Sequence, residues 1–351
     1  MSEPTTRGLD PDWVAAQLTV DGVTPTATFG GFIGTGQIGR NARYRLDWRG
    51  ADGPATVVVK LPAAEAGVRQ IGFDQGLYPK ECTFYRELAG VVDVVTPTPL
   101  AVDIDIDALD FALVLEDMAG SVAGDQFTEA TDHELALAVE QAAALHGPLW
   151  GKDHPALAAI AGDDPERGST RELIGLFLPG CLERLGGRLH DHTVPVLERF
   201  VELADVWVDR PVATPSLLHS DYRPDNFLFG RDEGAPALAV VDWQTITVGA
   251  SVSDVAYLLG AAVDPARRRE IEHDLLADYR RHLEGYGVVY PADVCWDEYA
   301  TGSIHGIVVG ILATIMASET ERGNDLFALM LNRHAQHVLD VEALDRVEAL
   351  A

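Results

Sequence analysis

A chain of 351 residues has room for about two domains, and with 47% hydrophobic residues it can fill a core in each. A charged fraction of 23% without low-complexity tracts excludes a disordered chain. The net charge of −29 repels polyphosphate and anionic lipid, so nucleic acid and membrane surfaces are not expected partners.

The chain starts MSEPTTRGLDPDW, polar and acidic, with no basic stretch leading into an apolar core, so no secretory signal is expected and a cytoplasmic location is. The first motif is GTGQIG, in which Gly34, Gly36 and Gly39 satisfy G-x-G-x-x-G. A dinucleotide fingerprint needs a helix directly after it. Here Arg43–Trp48 alternates like a strand, so the loop is expected to join two strands. It can then lie over phosphates with its backbone N–H groups pointing at oxygens; a plain glycine-rich hairpin is the other reading.

Gly50-Ala51-Asp52-Gly53 has turn composition and separates that strand from the β-branched run Ala55–Pro62. Lys60 ends Val57-Val58-Val59, where it can clamp phosphates or simply reach water from a strand end. The helix expected over PKECTFYRELAG, stopped by Gly90, decides between these. On its wheel Glu81 shares a face with Phe84, Tyr85 and Leu88, while Glu87 lies well off it. A carboxylate on a buried face needs a cation, and Lys60 is the natural one.

LAVDIDID and FALVLEDM read as a further strand pair. Asp103, Asp105 and Asp107 imitate the start of an EF-hand loop, but Ala108 stands where Gly is needed and Val114 where Glu is needed. From Met118 onward the pattern turns helical: Glu134–Leu145, Arg171–Leu189, Val194–Val206, Arg267–Leu283, Trp296–Ser318 and Asp325–Val347. His146 in ALHGPLW reads as a satisfied core histidine. His334 and His337 share a helix face with no H-E-x-x-H around them, which favours solvated or packed side chains. Gly306–Ala317, twelve strongly apolar residues, is too short to span a bilayer. Cys82, Cys181 and Cys295 are scattered and odd in number, which supports neither a disulfide framework nor a zinc knuckle.

The exception within the helical part is LLHSDYRPDNFLF, Leu217–Phe229, followed by VVDW. It sets His219, Asp221 and Asn226 as H-x-D-x-x-x-x-N, with Asp242 ending an apolar run. Pro224 keeps the spacing a loop. One carboxylate placed to accept a hydroxyl proton, plus an amide oxygen and a second carboxylate as hard ligands for Mg²⁺, is the layout phosphoryl transfer requires. A polar loop turning at Arg223-Pro224-Asp225 is the plain alternative. Asp254, in SVSDVAYLL, fits a capping box with Ser251 and shares a helix face with Tyr257 and Leu258. It reads as structural, capping a helix or bracing the loop.

Taken in order, GTGQIG, VVVK, ECTFYRELA, LVLEDM, GDQ (Gly124–Gln126), ALHGPLW, HSDYRPDN and VVDWQ make nearly the whole chain resemble the aminoglycoside phosphotransferase-like and choline/ecdysteroid kinase-like branch of the protein-kinase fold. That resemblance implies an α+β, bilobal fold: a β-rich nucleotide-binding lobe over 1–117 and a mainly helical lobe over 118–351 carrying the catalytic loop and acceptor site. It implies ATP and Mg²⁺ as cofactors and transfer to an alcohol hydroxyl of a small molecule. Asp221 takes the role of catalytic base and Arg223 sits near the transferred group. Asn226 and Asp242 are the metal ligands, and Lys60 with Glu81 is the phosphate clamp. The backbone of Glu116–Met118 holds the adenine, and His219 shapes the loop. Trp243-Gln244 stands where protein kinases have Phe-Gly, and no A-P-E follows, which favours a small acceptor over a protein. From Pro291 to Ala351 ten acidic residues face three arginines, which suits a cationic acceptor, whereas Gly306–Met316 suits an apolar alcohol. A catalytically silent nucleotide-binding module acting as sensor or scaffold is the alternative from another class.

Overall fold

The structure, a computed structural model, describes residues 6–34, 38–161 and 168–351. The chain forms two compact units. The first comprises Met1–Val91, Val95–Val122 and Leu228–Thr245; the second comprises Val92–Val94, Ala123–Phe227 and Ile246–Ala351. Asp242 therefore belongs to the same unit as Lys60 and Glu81.

The first unit is built on an antiparallel sheet of β1 (Thr26–Ile33), β2 (Gly39–Asp47), β3 (Thr56–Pro62), β4 (Pro99–Asp105) and β5 (Asp110–Glu116), in the order β1-β2-β3-β5-β4. The expected hairpins are both present, and the G-x-G-x-x-G segment is flanked by antiparallel strands. Alternation along β3 sorts its side chains by face. Val57, Val59 and Leu61 pack with Ala42, Tyr44 and Val114 under α1 (Pro11–Ala16). Lys60 takes the opposite face, paired in register with Asn41 and Leu113.

Two helices follow β3, where the sequence suggested one: α2 (Ala66–Asp74) and α3 (Leu77–Thr83). Gly67 and Gly72 weaken the helical signal of α2. Gly72 is required by packing, because a Cβ there would lie 2.4 Å from the Tyr78 ring. α3 starts after Gly76, in the left-handed region at φ 68°, and runs into a π-helical turn over Phe84–Leu88, closed by Ala89 N–H donating to the Phe84 carbonyl at 2.8 Å. Short strands at Ser121–Ala123, Phe227–Gly230 and Leu238–Val240 form a second sheet. The imitation of a calcium loop is filled by Arg7, whose guanidinium lies 2.6 Å from Asp103, 3.3 Å from Asp105 and 3.0 Å from Asp110.

The second unit is helical: α4 (Asp132–His146), α5 (Pro155–Ala161), α6 (Thr170–Leu185), α7 (Thr193–Val208), α8 (Val252–Ala262), α9 (Pro265–Glu284), α10 (Ala292–Gly302), α11 (His305–Met316), α12 (Glu321–Asp340) and α13 (Ala343–Glu348). α4 opens with a reciprocal capping box of Thr131 and Glu134. The two longest helices expected from sequence are each broken. A turn at Ser303-Ile304 separates α10 from α11, and Glu342, at φ 54°, separates α12 from α13.

Two expectations need correction here. The apolar run is longer than twelve residues, because helix resumes on both sides of the Ser303 turn. Within Ala292–Met316 an 18-residue window reaches a mean hydropathy of 1.5, enough by length and composition to cross a bilayer, with 56% of that window buried inside the protein. Nor does Ser251 cap α8. It adopts helical angles with no side-chain cap, and its hydroxyl accepts from Tyr279 at 2.9 Å. That leaves the Asp254 carboxylate for other partners.

Candidate active site

In the first unit three charged side chains meet. The Lys60 ammonium lies 2.7 Å from both carboxylate oxygens of Glu81 and 2.8 Å from Asp242 Oδ1. Lys60 and Glu81 are buried. Burial alone would discharge the lysine, but Asp242 and Glu81 outweigh it and raise its pKa. Burial lifts Glu81 to about 7 against the pull of Lys60. One ammonium between two carboxylates leaves an excess negative charge, which fits a divalent cation at the more exposed partner, Asp242.

The backbone brings them together at a local cost. Asp242 is at φ 71°, a region non-glycine residues rarely adopt. The next residue holds it there. The Trp243 ring is fully buried, stacks on Phe84 with centroids 3.7 Å apart and planes 9° off parallel, and its Nε1 donates to Thr96 Oγ1 at 2.9 Å. Phe84 opens the π-helical turn one turn after Glu81, so a single aromatic stack ties both carboxylates to one framework.

Around this cluster, Gly39 leaves only tight room for a side chain. A Cβ would lie 3.3 Å from both Lys60 Cε and the Leu61 carbonyl oxygen. Gly34 is at φ 74°; Gly36 lies outside the described residues. At the expected hinge the Glu116 side chain is occupied, accepting from Thr98 N at 3.2 Å and Thr98 Oγ1 at 2.8 Å. Asp117 is clamped by Arg43, with Nε 2.7 Å from Oδ2 and Nη2 2.9 Å from Oδ1. The Met118 carbonyl accepts from the Ser121 amide at 3.0 Å. Both carboxylates of this segment are therefore engaged within the protein.

The second unit holds the other group. The strand Pro215–Leu218 delivers His219, Ser220 and Asp221, and a single 3-10 turn at Pro224–Asn226 brings the asparagine back. Asn226 Nδ2 donates to the Asp221 carbonyl and to Asp221 Oδ2, both at 2.8 Å, which turns its Oδ1 away from the carboxylate as an available hard ligand. Arg223 Nε lies 2.8 Å from Asp221 Oδ1, and its Nη1 donates to Gln126 Oε1 at 3.1 Å. Burial pushes the Asp221 carboxyl up. Arg223, His219 and the hydrogen bonds from Asn226 and Tyr257 overcome that and hold it below the usual range.

Asp254 braces this loop from beneath. Its carboxylate accepts from the amides of His219 at 2.7 Å and Ser220 at 2.9 Å, while His146 Nε2 lies 3.1 Å away. His146 reaches Tyr279 Oη through its other nitrogen at 2.7 Å, so it is a fully satisfied core histidine. Burial raises the Asp254 pKa, but the His146 hydrogen bond, the nearby histidines and the His219 amide lower it further than burial lifts it. The unfolded chain therefore takes up this proton first, and the stability Asp254 supplies is complete above about pH 4 and lost as pH falls through the folded value. Asp254→Asn should cost about 1–3 kcal/mol at neutral pH and flatten the acid dependence of unfolding free energy, read by urea titrations between about pH 3 and 5.

Sequence reasoning missed Tyr257 and His305 as neighbours of this loop. Tyr257 donates to Asp221 Oδ1 at 2.9 Å, and His305 Nε2 meets the Ser220 carbonyl at 2.7 Å. Neither has a spacing signal, since they are 36 and 85 residues from their partners. His334 and His337 are packed and fully buried. Among the described residues no group of three or more His, Cys, Asp or Glu side chains forms a closed metal cage. Mg²⁺ held largely by nucleotide phosphates needs only one or two protein carboxylates.

Comparison with known proteins identifies the family and the fold. Residues 39–291 match the model of the phosphotransferase enzyme family. The fold is shared with a choline/ethanolamine kinase family protein of Mesorhizobium loti, at 17% identity and a TM-score of 0.52 over 92% of each chain. It is also shared with a microcompartment-associated aminopropanol kinase, at 14% identity and 0.55, covering 91% of this chain and 94% of that one. A 65-residue stretch is 38% identical to mouse (Mus musculus) acyl-CoA dehydrogenase family member 10, spanning 18% of this chain and 6% of that protein. With its family model matched over most of its length, and with the α+β fold of those kinases, the chain belongs to the phosphotransferase enzyme family.

Proposed function

We propose that the protein is a small-molecule kinase that moves the γ-phosphate of MgATP to an alcohol hydroxyl. The observation that carries this reading is Lys60, held by Glu81 and Asp242 at 2.7 and 2.8 Å and so oriented for phosphate oxygens. When bound, ATP supplies the phosphoryl group and Mg²⁺ offsets its charge. Residues 1–117 serve the nucleotide, joined by Asp242, and residues 118–351 supply the catalytic loop and the acceptor site.

In this reading Lys60 orients the α- and β-phosphates, Gly34, Gly36 and Gly39 allow backbone to approach them, and the backbone of Glu116–Met118 holds the base. Asp242 of the first unit and Asn226 Oδ1 of the second would each offer an oxygen ligand to Mg²⁺. Asp221 positions the acceptor hydroxyl and takes its proton, with Arg223 close to the transferred group. The work is mostly positioning and charge neutralisation, because phosphoryl transfer leaves little covalent chemistry to the protein. Buried Trp243 after the metal aspartate, in place of Phe-Gly, supports a small acceptor rather than a peptide.

The reading is tested by incubating the protein with MgATP and a metabolite extract and looking by mass spectrometry for a species heavier by one PO₃H group. A panel of amino alcohols and aminosugars, set against steroid and long-chain alcohols, then separates cationic from apolar acceptors. Nucleotide binding with no transfer to any member of extract or panel would favour a silent module.

A further inference from the structure

We propose that Tyr257 is a positioning residue that, with the charge of Arg223, engages one oxygen of Asp221 and so assigns the other, Oδ2, to the acceptor hydroxyl. This rests on the reading of Asp221 as the proton acceptor. A carboxylate oxygen offers two lone-pair sites. Oδ1 accepts from Tyr257 Oη at 2.9 Å and is ion-paired with the Arg223 guanidinium, Nε at 2.8 Å, so protein groups already occupy its surroundings. Among the described residues Oδ2 accepts from Asn226 Nδ2 alone, at 2.8 Å, and keeps one site for a hydroxyl proton.

The ring that carries this hydroxyl is held on two sides. His334 stacks on it with centroids 5.2 Å apart and planes 12° off parallel, and His305 meets it edge-on at 5.4 Å. His334 is fully buried and neither of its nitrogens has a hydrogen-bond partner, so it serves by shape. It fills a slot cut by two glycines. A Cβ at Gly260 would come 2.3 Å from its Cε1, and one at Gly306 would come 2.1 Å from its Nδ1. Burial pushes His334 down to about 3, so the wedge stays neutral. His305, also lowered by burial, uses Nε2 to donate to the Ser220 carbonyl, beside a backbone at φ 65°. The Tyr257 hydroxyl remains a donor because burial and the Asp221 charge raise its pKa.

Tyr257→Phe keeps both ring contacts and deletes only the hydroxyl, so folding should survive it. Measured on the full chain with an acceptor found in the extract screen, kcat should fall about tenfold, in the range of one hydrogen bond to a charged group. KM for MgATP should stay within about twofold, since Tyr257 touches no part of the nucleotide site. In an Asp221→Asn background the same change should have no further effect, because the group it positions is gone. An unchanged kcat in Tyr257→Phe, or equal losses in both backgrounds, overturns the proposal. An Asp221→Asn protein as fast as its parent overturns instead the reading on which it rests.

Discussion

Replacing Asp242 by asparagine should lower turnover by about four decades or more, a loss of roughly 5 kcal/mol at about 1.36 kcal/mol per decade. Asparagine is the informative substitution, because Asp242 sits at φ 71°. Asparagine tolerates that backbone, whereas alanine adds steric strain of roughly 1–2 kcal/mol. The variant keeps the Trp243–Phe84 stack and the Lys60–Glu81 pair, so the fold of the first unit should persist, with a thermal midpoint close to the parent's. What disappears is one hard anionic oxygen and one of the two counter-charges on Lys60. Steady-state rates with thermal unfolding as a control check this. A near-parental rate in Asp242→Asn would mean that Asp242 holds no catalytic metal.

Asp221→Asn should lower kcat by about two to four decades, roughly 3–5 kcal/mol, with KM for MgATP little changed. The loss combines two effects. The amide cannot take a proton, and its NH₂ must face at least one of the donors now aimed at the carboxylate, from Asn226, Tyr257 or Arg223. In the parent, those donors hold the Asp221 pKa below the usual carboxylate value in spite of burial. Asp221 therefore stays ionised through neutral and mildly acidic pH, and its protonation should limit the rate only below about pH 4. A kcat–pH profile on the identified acceptor checks the sign: activity lost on acidification comes from protonating the base.

Much of this site could be read from the chain because its parts are local. The alternation Val57-Val58-Val59-Lys60 places the lysine on the face of β3 away from the α1 core, and the helical wheel places Glu81 on the buried side of α3. Burying a carboxylate requires a cation, which makes the pairing an inference from chemistry. The turn Arg223-Pro224-Asp225 likewise forces Asn226 back onto Asp221.

What could not be read depends on contacts far apart in sequence or on backbone that no side-chain pattern announces. Ser251 and Asp254 have capping-box spacing, yet Tyr279 takes the serine hydroxyl and the loop amides take the carboxylate. The left-handed backbone of Ser220 and Asp242 falls on non-glycine residues, so no glycine announces it. The π-helical turn at Phe84 leaves no composition signal, though it sets where the Trp243 stack forms. α2 was hidden by its two glycines, of which Gly72 serves the approach of Tyr78 rather than helix propensity.

The proposal that Lys60 and Asp242 serve a magnesium-bound nucleotide is tested most directly by isothermal titration of ADP into the parent and Asp242→Asn proteins, with and without Mg²⁺. The expected result is binding that Mg²⁺ tightens by about tenfold or more in the parent, and that Mg²⁺ barely alters in the variant. Nucleotide that fails to bind the parent, or binds it equally well with the metal withheld, contradicts this assignment.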